Sequence, residues 1–329
     1  MKKVCLLASI LSLVGTAVVG CNSTPNNSTA TDNTTNTAIN TSLENKGLQT
    51  IGITLGDLGN PFYLAVQKGA EQQAKKIGDI RVNTVSSGFD LNQQANQIEN
   101  FTAANTDLII LSAVDKKGVK PAIDQARSAG RIVIAVDSAV DADVDAMISS
   151  NNIQAGEIAC KYISDRLNGK GNVVILNGTP MDSINQRVSG CKSSLAKYPD
   201  IKIISDQNAE GTRDGGLRVM TDVLTTFGKI DAVFATNDQS GVGADLAARQ
   251  ARRKEFFIVG VDGSPDAIKA MEDKDGVFVA TAAQDPARMA QKAVEVGNDV
   301  IQGKKLSNSE ILVPVKLVTR DNLGSYKGW

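Results

Sequence analysis

Histidine is absent from all 329 residues of the sequence. This absence excludes the most common general base, every Ser-His or Cys-His nucleophilic pair, and metal sites built on imidazole. An H-E-x-x-H zinc motif is therefore impossible, and no G-x-S-x-G nucleophile elbow occurs. Carboxylate and lysine chemistry stay open, but the sequence favours a binding protein over an enzyme, with no metal and no cofactor.

Neither sign of charge is in excess. The 35 basic and 36 acidic residues leave a net charge of −1, which gives no electrostatic basis for binding nucleic acid or an anionic membrane surface. A hydrophobic fraction of 42% and a charged fraction of 22% are ordinary for a globular protein. The length allows two domains, and we expect the ligand to be neutral.

A long apolar run occurs at the start of the chain, at 4–19, directly after Met1-Lys2-Lys3. It is too short for a spanning helix and is typical of a secretory signal peptide, assigned to 1–20. The ending "VVGC" resembles a bacterial lipobox, which implies that Cys21 is lipidated and becomes the first mature residue. A plain signal peptide cut elsewhere is the alternative.

The segment after Cys21 is rich in Asn, Thr and Ser and has almost no large apolar residue. Such a composition cannot bury enough surface to fold, so we assign 21–48 to a disordered linker. With the lipid, it would tether an extracytoplasmic protein to a bacterial membrane. Cys160 and Cys191 remain in the exported chain, and we expect them to form a disulfide, with two buried thiols as the alternative.

From residue 49 onward, apolar runs alternate with helical patterns. The runs include "TIGITLG", "DLIILSA", "RIVIAVD", "NVVILNG", "DAVFATND" and "FFIVGVD". Helical patterns cover 61–77, 91–105, 119–129, 153–167, 215–226, 241–250, 265–273 and 286–301. Near-continuous apolar strands between helices predict an α/β fold with doubly wound parallel sheets.

Short polar side chains follow these strands, at the sheet edge where ligands bind in doubly wound folds. They are Asp57, Asn60, Asp115, Asp137, Asn237, Asp238, Asp262 and Gln284. Each alone is explained by a turn or a helix cap. Together, they suit a neutral ligand covered in hydroxyl groups, because carboxylates accept and amides both donate and accept hydrogen bonds.

Aromatic residues make up 4% of the sequence, yet Phe62 and Tyr63 stand side by side after Gly-Asn-Pro. Proline fits the first turn of a helix and Asn60 can cap it. Two adjacent aromatics do not share one core-facing stripe. We expect them to face a cleft, where an aromatic plane can pack against the C–H face of a sugar ring.

The segments "GNPFY", "VIAVDS", "NQRVSG", "FATND", "VGVDGSPD" and "TAAQDP", in this order, resemble the bacterial periplasmic sugar-binding proteins of the ribose type. The resemblance implies two parallel-sheet lobes joined by a three-segment hinge: 49–151 with 285–316, and 152–284 with 317–329. It further implies that a monomer closes around a monosaccharide and delivers it to the membrane subunits of an ABC permease and their ATPase.

The resemblance also implies the binding residues. They are Asn60, Phe62, Tyr63, Asp137, Ser138, Arg187, Asn237, Asp262 and Gln284. Ribose binders of this pattern have arginine at the position of Ser138 and an aromatic residue near Gly211. These departures favour a hexose such as fructose, with ribose or another pentose next, and make Asp115 and Arg213 candidates for compensating contacts or for ordinary surface residues.

Three alternatives differ in function. A nucleotide-dependent enzyme would use "SGVGAD", which lacks the third glycine of a dinucleotide fingerprint. A sugar-responsive repressor would need a DNA-binding domain where the signal peptide stands. A sensor that presents a sugar or a furanose signal to a chemoreceptor or a sensor kinase would have the same pocket, so this alternative stays open.

Overall fold

A computed structural model gives the structure of the protein and describes residues 47–329. The predicted signal peptide, Cys21 and nearly all of the predicted linker lie outside the described residues. The strands are β1 (Thr50–Leu55), β2 (Arg81–Ser86), β3 (Leu108–Leu111), β4 (Ile132–Val136), β5 (Ala146–Ser150), β6 (Lys170–Asn177), β7 (Asp200–Asn208), β8 (Ala232–Ala235), β9 (Phe257–Asp262), β10 (Phe278–Ala283), β11 (Glu310–Val313) and β12 (Lys316–Thr319).

Helices alternate with these strands, as the sequence predicts. They are α1 (Pro61–Ile77), α2 (Leu91–Ala103), α3 (Lys120–Ser128), α4 (Asn152–Arg166), α5 (Asp182–Leu195), α6 (Arg213–Thr226), α7 (Asp238–Ala251), α8 (Pro265–Glu272) and α9 (Pro286–Ile301). Within 47–329, none of them combines the length and the apolar composition needed to cross a membrane.

The strands form two sheets of six. The first has the order β11-β5-β4-β3-β1-β2, and every neighbouring pair is parallel. The second has the order β12-β10-β9-β8-β6-β7 and is parallel except for β12, which runs antiparallel to β10. β12 enters this sheet directly from β11, without the crossover helix that a parallel strand needs. The predicted α/β class is confirmed, with one antiparallel edge strand added.

Apolar side chains cover both faces of each sheet, which is why the strands read as continuous apolar runs. In β3, Leu108 and Ile110 pack into one core and Ile109 and Leu111 into the core on the other face. β6 divides its side chains between two cores in the same way. We call each sheet with its packed helices a lobe.

The chain passes between the lobes at three places. It crosses from β5 to α4 through Asn151, from β10 to α9 through Gln284 and Asp285, and from β11 to β12 through Pro314 and Val315. The predicted lobes, 49–151 with 285–316 and 152–284 with 317–329, remain a prediction. The positions of the three passages support it.

Polar caps start most helices directly after a strand. Side-chain oxygens accept hydrogen bonds from main-chain N–H groups of the first turn at Asn60, Asp90, Asn151, Thr212, Asn237, Ser264 and Asp285. These caps satisfy N–H groups that have no partner inside the helix. They also set the first turns of the helices at the strand ends where a ligand site is expected.

Helices α4 and α5 touch backbone to backbone. A Cβ atom on Gly156 would collide with the carbonyl oxygen of Arg187, and one on Gly190 with that of Ile153. Cys160 and Cys191 are joined by a disulfide between these helices, and both are fully buried. The close contact fixes α5, which carries several residues of the site.

Candidate functional site

A cavity lies between the two lobes, at the edge where strands end and helices begin. It is lined by Asn60, Phe62, Tyr63, Phe89, Asp137, Thr179, Met181, Ser183, Ile184, Arg187, Glu210, Gly211, Asn237 and Asp262. The volume open to the centre of a water molecule is about 40 Å³. By the same measure, one water molecule needs roughly 10–15 Å³. The cavity is therefore large enough for a small molecule and not only for a single water.

The first turn of α1 supplies one wall. Asn60 Oδ1 accepts a hydrogen bond from the N–H of Phe62 (3.0 Å), which leaves its amide N–H groups for other partners. The rings of Phe62 and Tyr63 lie 5.5 Å apart and nearly perpendicular. Both are 95% buried and belong to the apolar core of the first lobe as well as to the cavity wall. The expectation that they face a cleft instead of a core is therefore half right.

Arg187 lies between two carboxylates. Its Nη2 is 3.5 Å from Asp137 Oδ1 and its Nη1 is 3.3 Å from Asp262 Oδ1. Asp137 belongs to the first lobe, whereas Arg187 and Asp262 belong to the second. Nε donates to Asn152 Oδ1 (2.9 Å), and Nη1 also donates to the carbonyl oxygen of Thr236 (3.0 Å). These partners fix the guanidinium and place its charge beside both acidic groups.

Burial dominates the electrostatics of the two carboxylates. It raises the pKa of Asp137, against the lowering effect of Arg187. It raises the pKa of Asp262 to about 6, again against Arg187. Asp137 Oδ1 is buried and accepts no hydrogen bond from any of the described residues. A buried carboxylate oxygen in this state is suited to accept a hydroxyl donor from a ligand.

Both carboxylates stand on unusual backbone. Asp137 has φ 63° and Asp262 has φ 136°, values that residues other than glycine rarely adopt. Each residue ends or directly follows a strand, β9 for Asp262 and β4 for Asp137. The surrounding structure must hold these conformations in place, and such strain is concentrated at functional sites.

Two of the nine predicted binding residues do not line the cavity. Ser138 is fully buried, and its Oγ is 2.8 Å from Ser183 Oγ of the second lobe. Ser138 therefore contacts Ser183 and is not part of the cavity wall. Gln284 Nε2 donates to Asp262 Oδ1 (2.8 Å), so this side chain supports a lining residue from behind.

Asn237 lines the cavity but uses much of its hydrogen-bonding capacity inside the protein. Its Oδ1 accepts from the N–H of Ser240 (3.1 Å), and its Nδ2 donates to the carbonyl oxygen of Gly211 (2.7 Å). One N–H of the amide remains for a ligand. Gly211 has φ 68° and carries no side chain into the cavity, which leaves space there.

The two candidates for compensating contacts lie elsewhere. Asp115 accepts hydrogen bonds from the N–H groups of Lys117 and Gly118 and so closes a turn. Arg213 forms an exposed ion pair with Asp266, with 2.9 Å between Nη2 and Oδ2. Neither residue lines the cavity. Their expected role in binding is not supported, and the alternative of ordinary surface residues describes them.

The start of α5 makes the contacts that join the lobes across the cleft. Tyr63 Oη lies 3.8 Å from Met181 Sδ, and Lys116 Nζ lies 3.3 Å from Asp182 Oδ1. The Ser138–Ser183 and Asp137–Arg187 contacts follow along the same helix. The lobes are therefore in contact around the cavity, and residues 181–187 supply several of the contacts that the second lobe makes with the first.

Several residues that line the cavity are not predicted from the sequence. Phe89 stands in the loop after β2, with φ 61° and its ring 6.2 Å from that of Tyr63. Its signal is an aromatic residue after Gly88 at the end of a strand. Met181, Ser183 and Ile184 have no comparable signal, because they reach the cavity only where the second lobe meets the first.

Comparison with known proteins identifies periplasmic and import binding proteins as similar chains. The model of the periplasmic binding protein domain matches residues 51–305. The ribose import binding protein of Bacillus subtilis is 31% identical over 277 residues, which are 84% of this chain and 89% of that protein.

Two solved structures have the same fold. A periplasmic solute-binding protein of Actinobacillus succinogenes with bound D-allose has a TM-score of 0.79 and 28% identity, covering 84% of this chain and all of that one. The fructose-binding periplasmic domain of a hybrid two-component system has the same TM-score and identity, covering 84% of this chain and 92% of that one.

Proposed function

Because the chain belongs to the type I periplasmic sugar-binding proteins, we propose that it binds one monosaccharide in the cavity between its lobes and delivers it to an ABC permease. The family assignment rests on the domain match over 51–305 and on a relative that is 31% identical and covered over 89% of its length. These relatives are binding proteins and not enzymes. The protein accordingly works outside the cytoplasm.

The observation that carries the proposal is the group of Asp137, Arg187 and Asp262 beside the rings of Phe62 and Tyr63. Two carboxylates and a guanidinium offer fixed acceptors and donors to adjacent hydroxyl groups. The aromatic rings offer an apolar surface to the C–H groups of the same molecule. A neutral sugar presents both kinds of surface, and the cavity is large enough for a small molecule.

Among monosaccharides we favour a hexose such as fructose, with ribose or another pentose next. Gly211 supports the larger ring, because it contributes no side chain where the ribose pattern has an aromatic residue. Ser138 gives no such support, because its hydroxyl contacts Ser183 and its side chain does not line the cavity. The similarity to a fructose-binding domain agrees with the first choice and the similarity to a ribose import protein with the second.

Closure and delivery follow from the two-lobe arrangement. The lobes, taken as 49–151 with 285–316 and 152–284 with 317–329, would rotate about the three passages and close when both bind the same sugar. The closed form of a monomer would then dock on the membrane subunits of the permease, which work with their ATPase. A lipid on Cys21 and the linker 21–48 would keep the protein near that permease.

A sensory role is the second candidate. The fructose-binding domain of a two-component system has the same fold as this chain. A sensor would use the same pocket and the same closure but would present the closed form to a receptor or kinase. Sugar uptake by a strain lacking the gene separates the roles: uptake stops if the protein serves a permease and continues if it serves only a sensor.

The experiment that tests sugar binding is a titration panel. Residues 49–329 would be purified and heated with ribose, fructose, galactose, xylose and inositol in turn. A ligand that binds only the folded protein raises the thermal midpoint. We expect the largest rise with a hexose. The absence of a shift with every sugar would remove the proposed function.

A further inference from the structure

Trp329 is the only tryptophan of the sequence, and its indole contacts both lobes. In the second lobe, Nε1 donates a hydrogen bond to the main-chain carbonyl oxygen of Asp262 (3.0 Å). In the first lobe, the ring packs edge-on against Phe62, with centroids 6.4 Å apart and planes at 88°. Both of these partners line the cavity, whereas Trp329 lies behind it.

The carbonyl oxygen of Asp262 has a second donor. The main-chain N–H of Gln284 donates to it (2.8 Å), and Gln284 belongs to the passage between β10 and α9. Two donors from the junction of the lobes therefore fix the peptide group of Asp262. This residue needs such support, because its φ of 136° is costly for a residue other than glycine.

We propose that Trp329 is a positioning residue of the sugar site, which holds Asp262 in the conformation that directs its carboxylate toward Arg187 and which backs the ring of Phe62. This inference rests on the proposed function. It assigns a role in binding to the segment after β12, a segment that contributes no residue to the cavity wall. It also links the two lobes through one side chain at their junction.

A matched control exists three residues earlier. Tyr326 Oη donates to the carbonyl oxygen of Gly263 (2.9 Å), the residue next to Asp262. Tyr326 therefore makes the same kind of hydrogen bond from the same segment, but it packs on the core of the second lobe and does not line the cavity. Y326F removes this hydrogen bond alone.

The test compares W329F, W329A and Y326F with the unaltered protein, each purified as the full chain processed in a bacterial host. Calorimetric titration with fructose and ribose gives the affinities. W329F keeps a ring against Phe62 but loses the donor, and we expect binding to weaken threefold to tenfold. W329A loses both, and we expect at least tenfold. Y326F should stay within twofold.

A second readout separates positioning from a general loss of stability. The affinity of each variant is measured from pH 5 to pH 8, the range in which Asp262 titrates. The charged groups that face Asp262 are Arg187, Asp137 and Asp238. If Trp329 positions Asp262, the midpoint of this pH dependence moves by at least half a pH unit in W329F and stays unchanged in Y326F. A merely structural tail would leave the midpoint unchanged in both.

The results distinguish a failure of the proposed sugar binding from a failure of the inference about Trp329. If the unaltered protein binds no sugar, the proposed function fails and the inference fails with it. If it binds sugar and W329F matches it in affinity and pH midpoint, only the inference is overturned. If W329A does not fold, the comparison of W329F with Y326F is sufficient to test the positioning role of Trp329.

Discussion

The hydroxyl oxygens of Ser138 and Ser183 lie 2.8 Å apart, one on each lobe. Ser183 in turn donates to Asp137 Oδ2 (3.2 Å), so Ser138, Ser183 and Asp137 form a chain of two hydrogen bonds across the cleft. All three side chains are at least 95% buried. Ser138 and Asp137 belong to one lobe and Ser183 to the other, so this chain forms only where the lobes meet, and it orients a carboxylate of the cavity.

Removing the Ser183 hydroxyl should therefore weaken sugar binding. We expect S183A to lower the affinity by about 1 kcal/mol, or roughly fivefold, because a buried donor loses its partner in the closed form. Ser189 lies exposed on the same helix, and S189A is the control. Calorimetric titration measures both, and equal affinities for the two variants would contradict the prediction.

The central ion pairs should matter more. Replacing Arg187 or Asp137 by alanine leaves a buried charge without its partner, so we expect binding to weaken by roughly 2–4 kcal/mol. The exposed pair of Lys161 and Asp165 on α4 supplies the control, since K161A should change binding little. If both site variants retain normal affinity, the assignment of the cavity as the sugar site is wrong.

Affinity should depend on pH through Asp262, whose pKa burial raises to about 6. Sugar hydroxyls donate to the ionised carboxylate, so the association constant should be constant above about pH 7 and fall as the pH drops through 6. The effect on unfolding has the opposite sign. A raised pKa favours the protonated group in the fold, so its contribution to stability is greatest below about pH 4 and declines as the pH rises through 6.

Titration calorimetry between pH 5 and pH 8 measures this dependence. D262N has no group to ionise at this position and should show a flatter profile, at lower affinity. A profile for the unaltered protein that is as flat as that of D262N would contradict the assignment of the pH dependence to Asp262.

The disulfide between Cys160 and Cys191 should stabilise the protein. It closes a loop with a sequence separation of 31, for which chain entropy gives about 3–4 kcal/mol. We expect the double variant C160A/C191A to unfold at a lower temperature and to bind sugar less tightly, because α5 carries Ser183 and Arg187. Mass spectrometry of the unreduced protein tests the bond, and two free thiols in the exported protein would disprove it.

The lipid anchor is tested at Cys21, outside the described residues. We expect mass spectrometry of the mature protein to find an N-terminal cysteine with attached acyl chains, and C21S to release the protein from the membrane fraction. A mature chain that begins elsewhere, or an unmodified Cys21, would contradict the lipoprotein prediction and leave the sugar site unaffected.

The buried strands could be predicted from the sequence, and the edge strands could not. β3 and β9 are buried along their whole length and give continuous apolar runs. β2 and β7 lie at sheet edges with exposed or half-buried residues at most positions, so neither run gave a signal. The alternating burial of β5 was likewise too weak a pattern in a segment of five residues.

The residues that line the cavity divide in the same way. Asp137, Asn237 and Asp262 follow or end buried strands, so their position at the sheet edge that carries the cavity follows from the local pattern. Met181 and Ser183 approach the first lobe only in the folded chain, and no local pattern encodes that contact. Ser138 is predicted as a binding residue from its place in the family pattern. In the structure its hydroxyl contacts Ser183, and its side chain does not line the cavity.

The three passages between the lobes are short, and this sets how the molecule can move. Asn151, Gln284 with Asp285, and Pro314 with Val315 separate the flanking elements, so each passage spans at most roughly 10 Å. Passages of this length allow the lobes to rotate about a hinge but do not allow them to separate. Displacement then grows with distance from the passages, so two fluorophores attached to opposite lobes would report sugar binding with a larger change in separation the farther both sites lie from the passages.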